Sequence, residues 1–345
     1  MIARYAGVGL VAPLVAVAAL LGAAPVSAQE PLRILKQGSI EAGGTPLICA
    51  TNDGGNLNNE RFPAGKVMVN NVYATYQYPF EQKYRYPILF NPGGGHSARV
   101  YDTTPDGREG WLTLFAREGF AVYGVDSVHS GRSASDICKI NAVRLGLAPI
   151  KELPTTNRYS AESAWVTFRW GPRFGEFYPD TQFPTESVEQ YYLQLLSNYR
   201  DPDQTPKMVS ALVALIDKVG PVVLQSWSSS GILIYLAAIE RPDLVKGILA
   251  LEHGPGTFDE ISDEGFKKLV KIPIINIIAD RTPERVAGAR KFEKRMQAAG
   301  GDFTVDVLPE SGIFGNGHTM MLEKNNKVIM QRMITWMRAH VYKAE

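Results

Sequence analysis

The 345-residue sequence has few cysteines, no excess of either charge and no long apolar run beyond its N-terminus. Its two cysteines, Cys49 and Cys138, are too few for a disulfide scaffold and lack the spacing of a metal site, so we expect no bound metal. The 36 basic and 35 acidic side chains form no basic stripe, which argues against a nucleic-acid partner. These features indicate a globular protein of one large domain or two smaller ones.

The first 28 residues have the features of a signal peptide. Arg4 is their only charge, an apolar stretch follows to about residue 24, and Val26-Ser27-Ala28 forms a small-residue cleavage site. A permanent membrane span is the alternative, but two prolines and the prevalence of Ala and Gly over Leu and Ile argue against it. We therefore expect an exported protein, periplasmic or secreted, with a mature domain of residues 29–345 and no stable membrane anchor after cleavage. In such a protein the two cysteines either pair or remain separate buried thiols, and the sequence leaves both open.

Beyond this segment, apolar runs typical of buried strands alternate with helical patterns. The expected buried strands are residues 86–90, 120–125, 222–225, 245–252, 272–279 and 303–308. The expected helices are residues 111–118, a stretch from 232, 263–270, 283–299 and 325–342. Residues 66–77 alternate apolar and polar side chains, as an edge or antiparallel strand does, while residues 35–50 are mixed. This order predicts an α/β fold, with a mostly parallel sheet covered by helices on both faces.

Residues 141–206 interrupt this alternation, and we expect them to form a cap or lid inserted into the α/β domain. The aromatic side chains in this segment either line a pocket for an apolar or aromatic ligand group or pack among themselves. Its arginines Arg169 and Arg173 either bind a ligand carboxylate or lie in solvent. The aromatic residues are Trp165, Phe168, Trp170, Phe174, Phe177, Tyr178, Phe183, Tyr191 and Tyr192.

The run Val222 to Gly231 carries the most chemical information. A short β-branched stretch leads into a serine cluster, and a helical pattern begins at Ile232. This strand–turn–helix order is typical of a nucleophile elbow, in which small residues on either side of the nucleophile permit a tight, strained turn. Ser226 and Ser230 occupy the flanking positions, so Ser228 is the candidate nucleophile. A serine-rich loop without catalytic function is the alternative.

A serine hydroxyl needs an adjacent base to take its proton. In enzymes with such an elbow, an acid and then a histidine follow the serine, and the histidine lies on a loop after the last strand. Of the five histidines, only His318 lies on such a loop, whereas His340 falls inside the final helix. His96 and His129 precede the serine and are candidates for lining the pocket.

Two carboxylates are candidates for the acid that orients the histidine and stabilises its charged form. Asp280 follows the strand at 272–279, and Glu252 closes the strand at 245–252. Spacing alone favours Asp280. Without a catalytic role, either residue would cap a turn or pair with Arg281.

An acyl-transfer site also needs backbone N–H groups aimed at the developing oxyanion. Ser229, directly after the candidate nucleophile, is one expected donor. The second is expected from Gly94 or Gly95, in the glycine run after the strand at 86–90, because glycine lets the backbone approach a substrate closely. The run lacks the spacing and the ending of a phosphate-binding loop, so we interpret it as an oxyanion loop.

Together these motifs resemble the α/β-hydrolases, and more narrowly a small group of exported bacterial serine esterases with a Ser-rich elbow. Besides the elbow, the resemblance rests on DTTPDGREGW at 102–111, GRSASDI at 131–137 and GNGHTMM at 315–321. It implies a glutamate as the acid, at the position of Glu252, and so favours Glu252 over Asp280. The chain departs from that group at Trp227, where such esterases often have histidine, and in the glycine run, where the best-known member has two adjacent cysteines. Substrate preference is therefore not carried over.

The expected function is an exported serine hydrolase that cleaves small-molecule carboxylic esters through an acyl-enzyme. Ser228, His318 and Glu252 would form its triad, and the chemistry needs no metal or organic cofactor. The oligomeric state, including a homodimer, is left open. A lactonase, an amidase or an acyltransferase would use the same residues, and a non-catalytic binding protein on this scaffold is the alternative from another class.

Overall fold

The computed structural model describes residues 30–342 except 134, 202 and 255. The expected signal peptide, residues 1–28, lies outside the described residues. From Leu32 onward the chain forms one compact unit. No helix in the described part of the chain has the length and apolarity that a membrane span needs.

Ten strands and nine α-helices follow one another in the described residues. The strands are β1 (Ile34–Cys49), β2 (Gly65–Pro79), β3 (Ile88–Asn91), β4 (Val122–Asp126), β5 (Thr155–Asn157), β6 (Asn198–Arg200), β7 (Val222–Trp227), β8 (Val245–Leu251), β9 (Ile274–Ile278) and β10 (Phe303–Val307). The helices are α1 (Trp111–Arg117), α2 (Ile137–Arg144), α3 (Ala161–Thr167), α4 (Val188–Tyr192), α5 (Gln204–Val219), α6 (Gly231–Glu240), α7 (Asp263–Leu269), α8 (Pro283–Ala298) and α9 (Asn326–His340). Short 3₁₀ turns lie at Ala98–Tyr101, Ile150–Glu152, Thr185–Ser187, Ser228–Ser230, Thr257–Glu260 and Leu308–Ser311.

Eight of the strands form one sheet in the order β1-β2-β4-β3-β7-β8-β9-β10. From β4 to β10 each neighbouring pair is parallel, whereas β2 is antiparallel to both β1 and β4. The predicted mostly parallel sheet and the predicted antiparallel strand at 66–77 are thus confirmed. Because parallel strands share one direction, their carboxyl ends meet at a single edge, and loops at that edge can converge on a site.

Side chains of the central strands alternate between two apolar cores, one on each face of the sheet. In β3, Leu89 packs into the core that contains α5 and α6, whereas Phe90 packs into the core that contains α1 and α9. In β7, Leu224 packs into the first of these cores and Val223 into the second. Strands buried on both faces read as continuous apolar runs, which is why the sequence pattern locates them.

Strand β1 and helix α5 are absent from the elements that the sequence predicts. Most side chains of β1 are exposed, and the strand contains Gly38, Gly43 and Gly44, so it has no apolar periodicity. It is held instead by its long antiparallel pairing with β2. A strand defined by its partner's backbone leaves little trace in its own sequence.

The chain between β4 and α5, residues 127–203, is here called the β4–α5 segment. It contains helices α2, α3 and α4, and its strands β5 and β6 pair in a separate two-stranded sheet. Its helices have 8, 7 and 5 residues, which explains why the sequence shows no clear rhythm there. A disulfide joins Cys138 of α2 to Cys49 at the end of β1. The cap or lid function of residues 141–206 stays a prediction.

Candidate active site

Ser228 lies on a tight turn between β7 and α6. β7 ends at Trp227, Ser228–Ser230 form a single 3₁₀ turn, and α6 begins at Gly231. Ser228 has a φ of 59°, in the left-handed region, which costs a non-glycine residue on the order of 1–3 kcal/mol. The turn therefore holds the serine in a strained conformation at the carboxyl end of β7, with the geometry of a nucleophile elbow.

The small residues that flank the turn make specific contacts. Ser230 Oγ accepts the Trp227 N–H at 3.1 Å and lies 3.0 Å from the carbonyl oxygen of Asn91. On the other side, Ser226 Oγ lies 2.6 Å from His253 Nε2, and both side chains are buried. These contacts fix the turn to the ends of β3 and β8.

Two side chains from distant loops converge on Ser228. His318 Nε2 lies 2.8 Å from Ser228 Oγ, and His318 Nδ1 lies 3.0 Å from Glu252 Oε2. His318 and Glu252 are buried, whereas Ser228 is partly exposed. With the Nδ1–H donated to the carboxylate, Nε2 accepts the serine O–H, which is the orientation that a general base needs. The structure brings the three residues together, and their catalytic roles stay predictions.

Glu252 is a buried carboxylate that two arginines and a backbone N–H hold in place. It follows β8 with a φ of 53°, and its Oε1 accepts the Ala279 N–H at 2.6 Å. Its Oε2 accepts Arg169 Nη2 at 2.5 Å, and Arg285 Nε lies 3.8 Å from the same oxygen. Burial alone would raise the pKa of Glu252, but Arg169, a hydrogen bond from His318 and Arg285 together lower it to about 2. Glu252 is therefore ionised at neutral pH.

His318 has a pKa lowered to about 4, chiefly because burial disfavours the imidazolium form. The hydrogen bond and the charge of Glu252 act in the opposite direction, whereas Arg169 and Arg285 repel a proton on the ring. At neutral pH the imidazole is thus uncharged and can accept a proton from Ser228.

Residues from two other segments, and Glu323 of the same loop, hold the backbone around His318. Its N–H donates to the Phe168 carbonyl at 2.9 Å, and its own carbonyl accepts Trp227 Nε1 at 2.6 Å. The Phe168 ring lies nearly parallel to the imidazole, with 5.9 Å between centroids. One residue earlier, the Gly317 N–H donates to Glu323 Oε1 at 2.7 Å. Trp227, a departure from the esterases that the sequence resembles, therefore anchors the backbone of the histidine loop.

Glu323 is a second buried carboxylate, in the same loop as His318, and no motif in the sequence identifies it. Its Oε2 accepts Asn316 Nδ2 at 2.5 Å. Burial raises the pKa of Glu323 to about 7, against the hydrogen bonds from Asn316 and Gly317. Its one signal in the sequence is its position shortly after the histidine in the same loop.

Asp280, the alternative acid, lies next to the same loop but contacts a different part of it. Its Oδ2 accepts the Gly315 N–H at 2.8 Å, and Arg281 Nη1 lies 3.6 Å from that oxygen. In the described structure it is Glu252, and not Asp280, that is hydrogen-bonded to His318. Asp280 therefore has the turn-capping contacts expected of a carboxylate at a strand end.

The glycine loop after β3 lies against the elbow. The Gly94 N–H donates to Ser229 Oγ at 2.8 Å. The Gly95 N–H instead donates to Asn198 Oδ1 at 2.5 Å, so it is engaged away from the elbow. Of the two glycines predicted as oxyanion donors, Gly94 is the one bonded to Ser229, and the oxyanion role of each stays a prediction.

The remaining candidate histidines have other partners. His96 Nδ1 donates to the Gly94 carbonyl at 3.0 Å, and its Nε2 accepts the Tyr191 hydroxyl at 2.8 Å. His96 and His129 both line a cavity beside the glycine loop.

His340 Nδ1, in α9, lies 2.7 Å from Asp302 Oδ2. Within the residues described, no three His, Cys, Asp or Glu side chains are arranged to hold a metal ion.

The aromatic side chains of the β4–α5 segment are largely packed, and a ligand-binding role for them stays a prediction. Five of those singled out from the sequence are buried among themselves and against the core, namely Trp165, Phe168, Trp170, Phe183 and Tyr191. Arg173 pairs at the surface with Glu176, at 2.6 Å. Arg169 contacts Glu252 across 83 positions of sequence, and no local pattern signals such a contact.

Comparisons with known proteins show the family of the chain. No family model matches the chain. A solved structure described as a novel bacterial esterase superimposes with a TM-score of 0.83 at 32% sequence identity, covering 92% of this chain and 100% of the other. A probable secreted lipase, phiG, from a fungal species (strain ATCC 74256) is 28% identical over 327 residues, covering 80% of this chain and 88% of that protein. The chain therefore belongs to the α/β-hydrolase superfamily, in the same family as this bacterial esterase.

Proposed function

We propose that the protein is an exported carboxylic ester hydrolase that forms an acyl-enzyme on Ser228. The observation that carries the proposal is the pair of hydrogen bonds that links Ser228 Oγ through His318 to the ionised carboxylate of Glu252. Membership of the same family as a bacterial esterase supports the reaction class. The likeness to a probable secreted lipase supports export, as does a disulfide of the kind that persists in oxidising compartments.

In the first half of the proposed reaction, Ser228 Oγ attacks the ester carbonyl and its proton passes to His318 Nε2. Glu252 holds the imidazole in the required tautomer and stabilises the imidazolium that forms. The negative charge on the former carbonyl oxygen is held by the backbone N–H groups of Gly94 and Ser229. For this, the oxyanion would replace Ser229 Oγ as the acceptor of the Gly94 N–H. The intermediate then expels the alcohol, which takes the proton from His318.

In the second half, water attacks the acyl-enzyme carbonyl while His318 takes a proton from it. The same N–H groups hold the second oxyanion. Collapse of that intermediate breaks the bond to Ser228 Oγ, returns the proton to the serine and releases the carboxylic acid. The reaction consumes one water and one ester for each acid and alcohol released.

The test is the variant Ser228→Ala, measured with p-nitrophenyl acetate. We expect kcat to fall by about 10⁶-fold, as when the nucleophile of a comparable triad is removed, with the far-ultraviolet circular dichroism unchanged. Ser226→Ala is a matched control, because it also replaces an elbow serine but leaves the hydroxyl of Ser228 in place. A fluorophosphonate probe should label the wild type and Ser226→Ala but not Ser228→Ala. Undiminished turnover by Ser228→Ala would refute the proposal.

A further inference from the structure

A cavity of about 370 Å³ lies beside the elbow and contains none of the three triad residues in its lining. Its walls are the glycine loop after β3, the loop after β4, Ser229 and the first turn of α6, residues 197–201, and the start of α5. The volume is within the range of small-molecule sites. The residue directly after the proposed nucleophile, Ser229, is therefore part of the cavity wall.

The order of the strands shows on which side of Ser228 this cavity lies. The loops that bound it follow β4, β3 and β7, whereas Glu252 follows β8 and His318 follows β10. Ser228, at the end of β7, stands between the cavity and the imidazole. In the proposed reaction His318 protonates the leaving alcohol, so the alcohol part must lie on the imidazole side. The acyl part, which stays on Ser228, is then directed toward the cavity.

The lining of the cavity is rich in hydrogen-bonding groups. Polar side chains in it include Ser127, Ser130, Asn198, Asp201, Gln204 and Thr205. Apolar side chains, among them Val128, Met208, Ile232 and Leu233, line it as well. A long alkyl chain placed there would remove water from polar groups without replacing the lost hydrogen bonds, which is unfavourable.

Some of these polar groups are already engaged and others are not. Asp201 is buried and pairs with Lys207 at 2.9 Å and Lys139 at 3.4 Å, so its charge is balanced. Arg200 is exposed and Gln204 is half-buried, and neither side chain is hydrogen-bonded within the residues described. These two side chains can therefore donate hydrogen bonds to a ligand without breaking a contact within the protein.

We propose that this cavity binds the acyl part of the substrate and that the natural acyl group carries a hydrogen-bond acceptor, so that the enzyme cleaves esters of polar-substituted acids in preference to fatty acyl esters. The inference rests on the proposed function and adds the substrate class. Gln204, at the start of α5, is the residue proposed to donate to the acyl substituent.

The test compares two p-nitrophenyl esters of equal chain length, the β-methoxypropanoate and the pentanoate, in which an ether oxygen replaces one methylene group. Rates are normalised to hydroxide-catalysed hydrolysis of each ester, since the oxygen also activates the carbonyl. We expect kcat/KM to favour the methoxy ester by about tenfold, the value of one net hydrogen bond, and Gln204→Leu to abolish most of that preference. Gln297→Leu, at an exposed position of α8, is the matched control and should leave the preference unchanged.

The outcomes separate this inference from the proposed function. If p-nitrophenyl acetate is not cleaved at all, the proposed function fails. If acetate is cleaved in a Ser228-dependent way but the pentanoate or the dodecanoate is preferred over the methoxy ester, the substrate inference is overturned. It is also overturned if Gln204→Leu alters selectivity among alcohols of one acid and leaves acyl selectivity intact.

Discussion

At the scale of single residues, the contrast between Glu252 and Asp280 is the most informative. Both carboxylates follow neighbouring parallel strands, and both approach the histidine loop. Glu252 reaches the imidazole, whereas Asp280 reaches a backbone N–H of the same loop. Glu252 follows β8, which is one strand farther from β10 and the histidine loop than β9 is. The extra methylene of glutamate supplies the additional reach.

This contrast leads to a prediction for the acid. Glu252→Gln should lower kcat by on the order of 10⁴-fold, because an amide cannot stabilise the imidazolium and favours the wrong tautomer. Asp280→Asn should change kcat by less than about tenfold, since its contact to Gly315 does not depend on charge. Steady-state kinetics of both variants, with thermal unfolding to verify folding, make the comparison. The reverse ranking would transfer the role to Asp280.

The sequence predicts the site residues to different extents. Ser228 and His318 follow from local patterns, a strand–turn–helix run and a glycine-rich loop after the last strand. Glu252 does not follow from spacing, which favours Asp280, and was indicated only through the resemblance to esterases. Arg169 and Glu323 make their contacts only in the folded chain, so the periodicity of the sequence does not identify them as site residues.

At the scale of elements, the β4–α5 segment supports the site through two consecutive residues. The Phe168 carbonyl accepts the His318 N–H, and the next side chain, Arg169, binds Glu252. Arg169 has a φ of 59°, and this left-handed conformation follows the end of α3. The segment thus contacts both the base and the acid.

We expect Arg169→Met to change the pH dependence as well as the rate. In the wild type, kcat/KM should rise with pH through about 4 and then level off, because only the neutral imidazole is a base. Arg169 lowers the pKa of His318, so its removal should move this acid limb to higher pH. The loss of positioning should also lower kcat by on the order of 10²-fold. Measuring kcat and kcat/KM on both sides of this acid limb, up to neutral pH, tests both effects.

Two further variants separate charge from packing at this position. Arg169→Lys retains the positive charge and should leave the acid limb near that of the wild type, even if kcat falls. Arg173→Met removes an exposed arginine of the same segment, which pairs with Glu176, and should behave as wild type. An unshifted acid limb in a folded Arg169→Met protein would contradict the electrostatic role.

At the scale of the whole molecule, the disulfide connects the two parts that the sequence describes least well. Cys49 ends β1, which has no apolar periodicity, and Cys138 lies in the first turn of α2 at the beginning of the aromatic segment. The sheet and its helices follow from alternating apolar runs, but these two parts are defined by pairing and by a covalent link. The pattern of apolar residues predicts the sheet and its helices, but it cannot predict a strand pairing or a disulfide.

The link closes a loop of 89 positions, and its removal should destabilise the protein. The chain-entropy relation gives about 4–5 kcal/mol for a loop of this length. Urea unfolding of the double variant Cys49→Ala/Cys138→Ala should therefore show a lower midpoint than that of the wild type. Added reductant should lower the midpoint of the wild type and have no effect on the variant. Equal midpoints for the oxidised wild type and the variant would show that the link contributes nothing.

His318 is held by Phe168, Trp227 and Glu252, which belong to three other stretches of chain, and Gly317 is held by Glu323 of the same loop. An imidazole restrained in this way has little freedom to rotate away from Ser228 during turnover. The general base is therefore preorganised before a substrate binds. The same rigidity makes the loop intolerant of changes in length: one residue added directly before His318 would disrupt its contacts to Phe168, Trp227 and Glu252 together, while the sheet beneath it would still assemble.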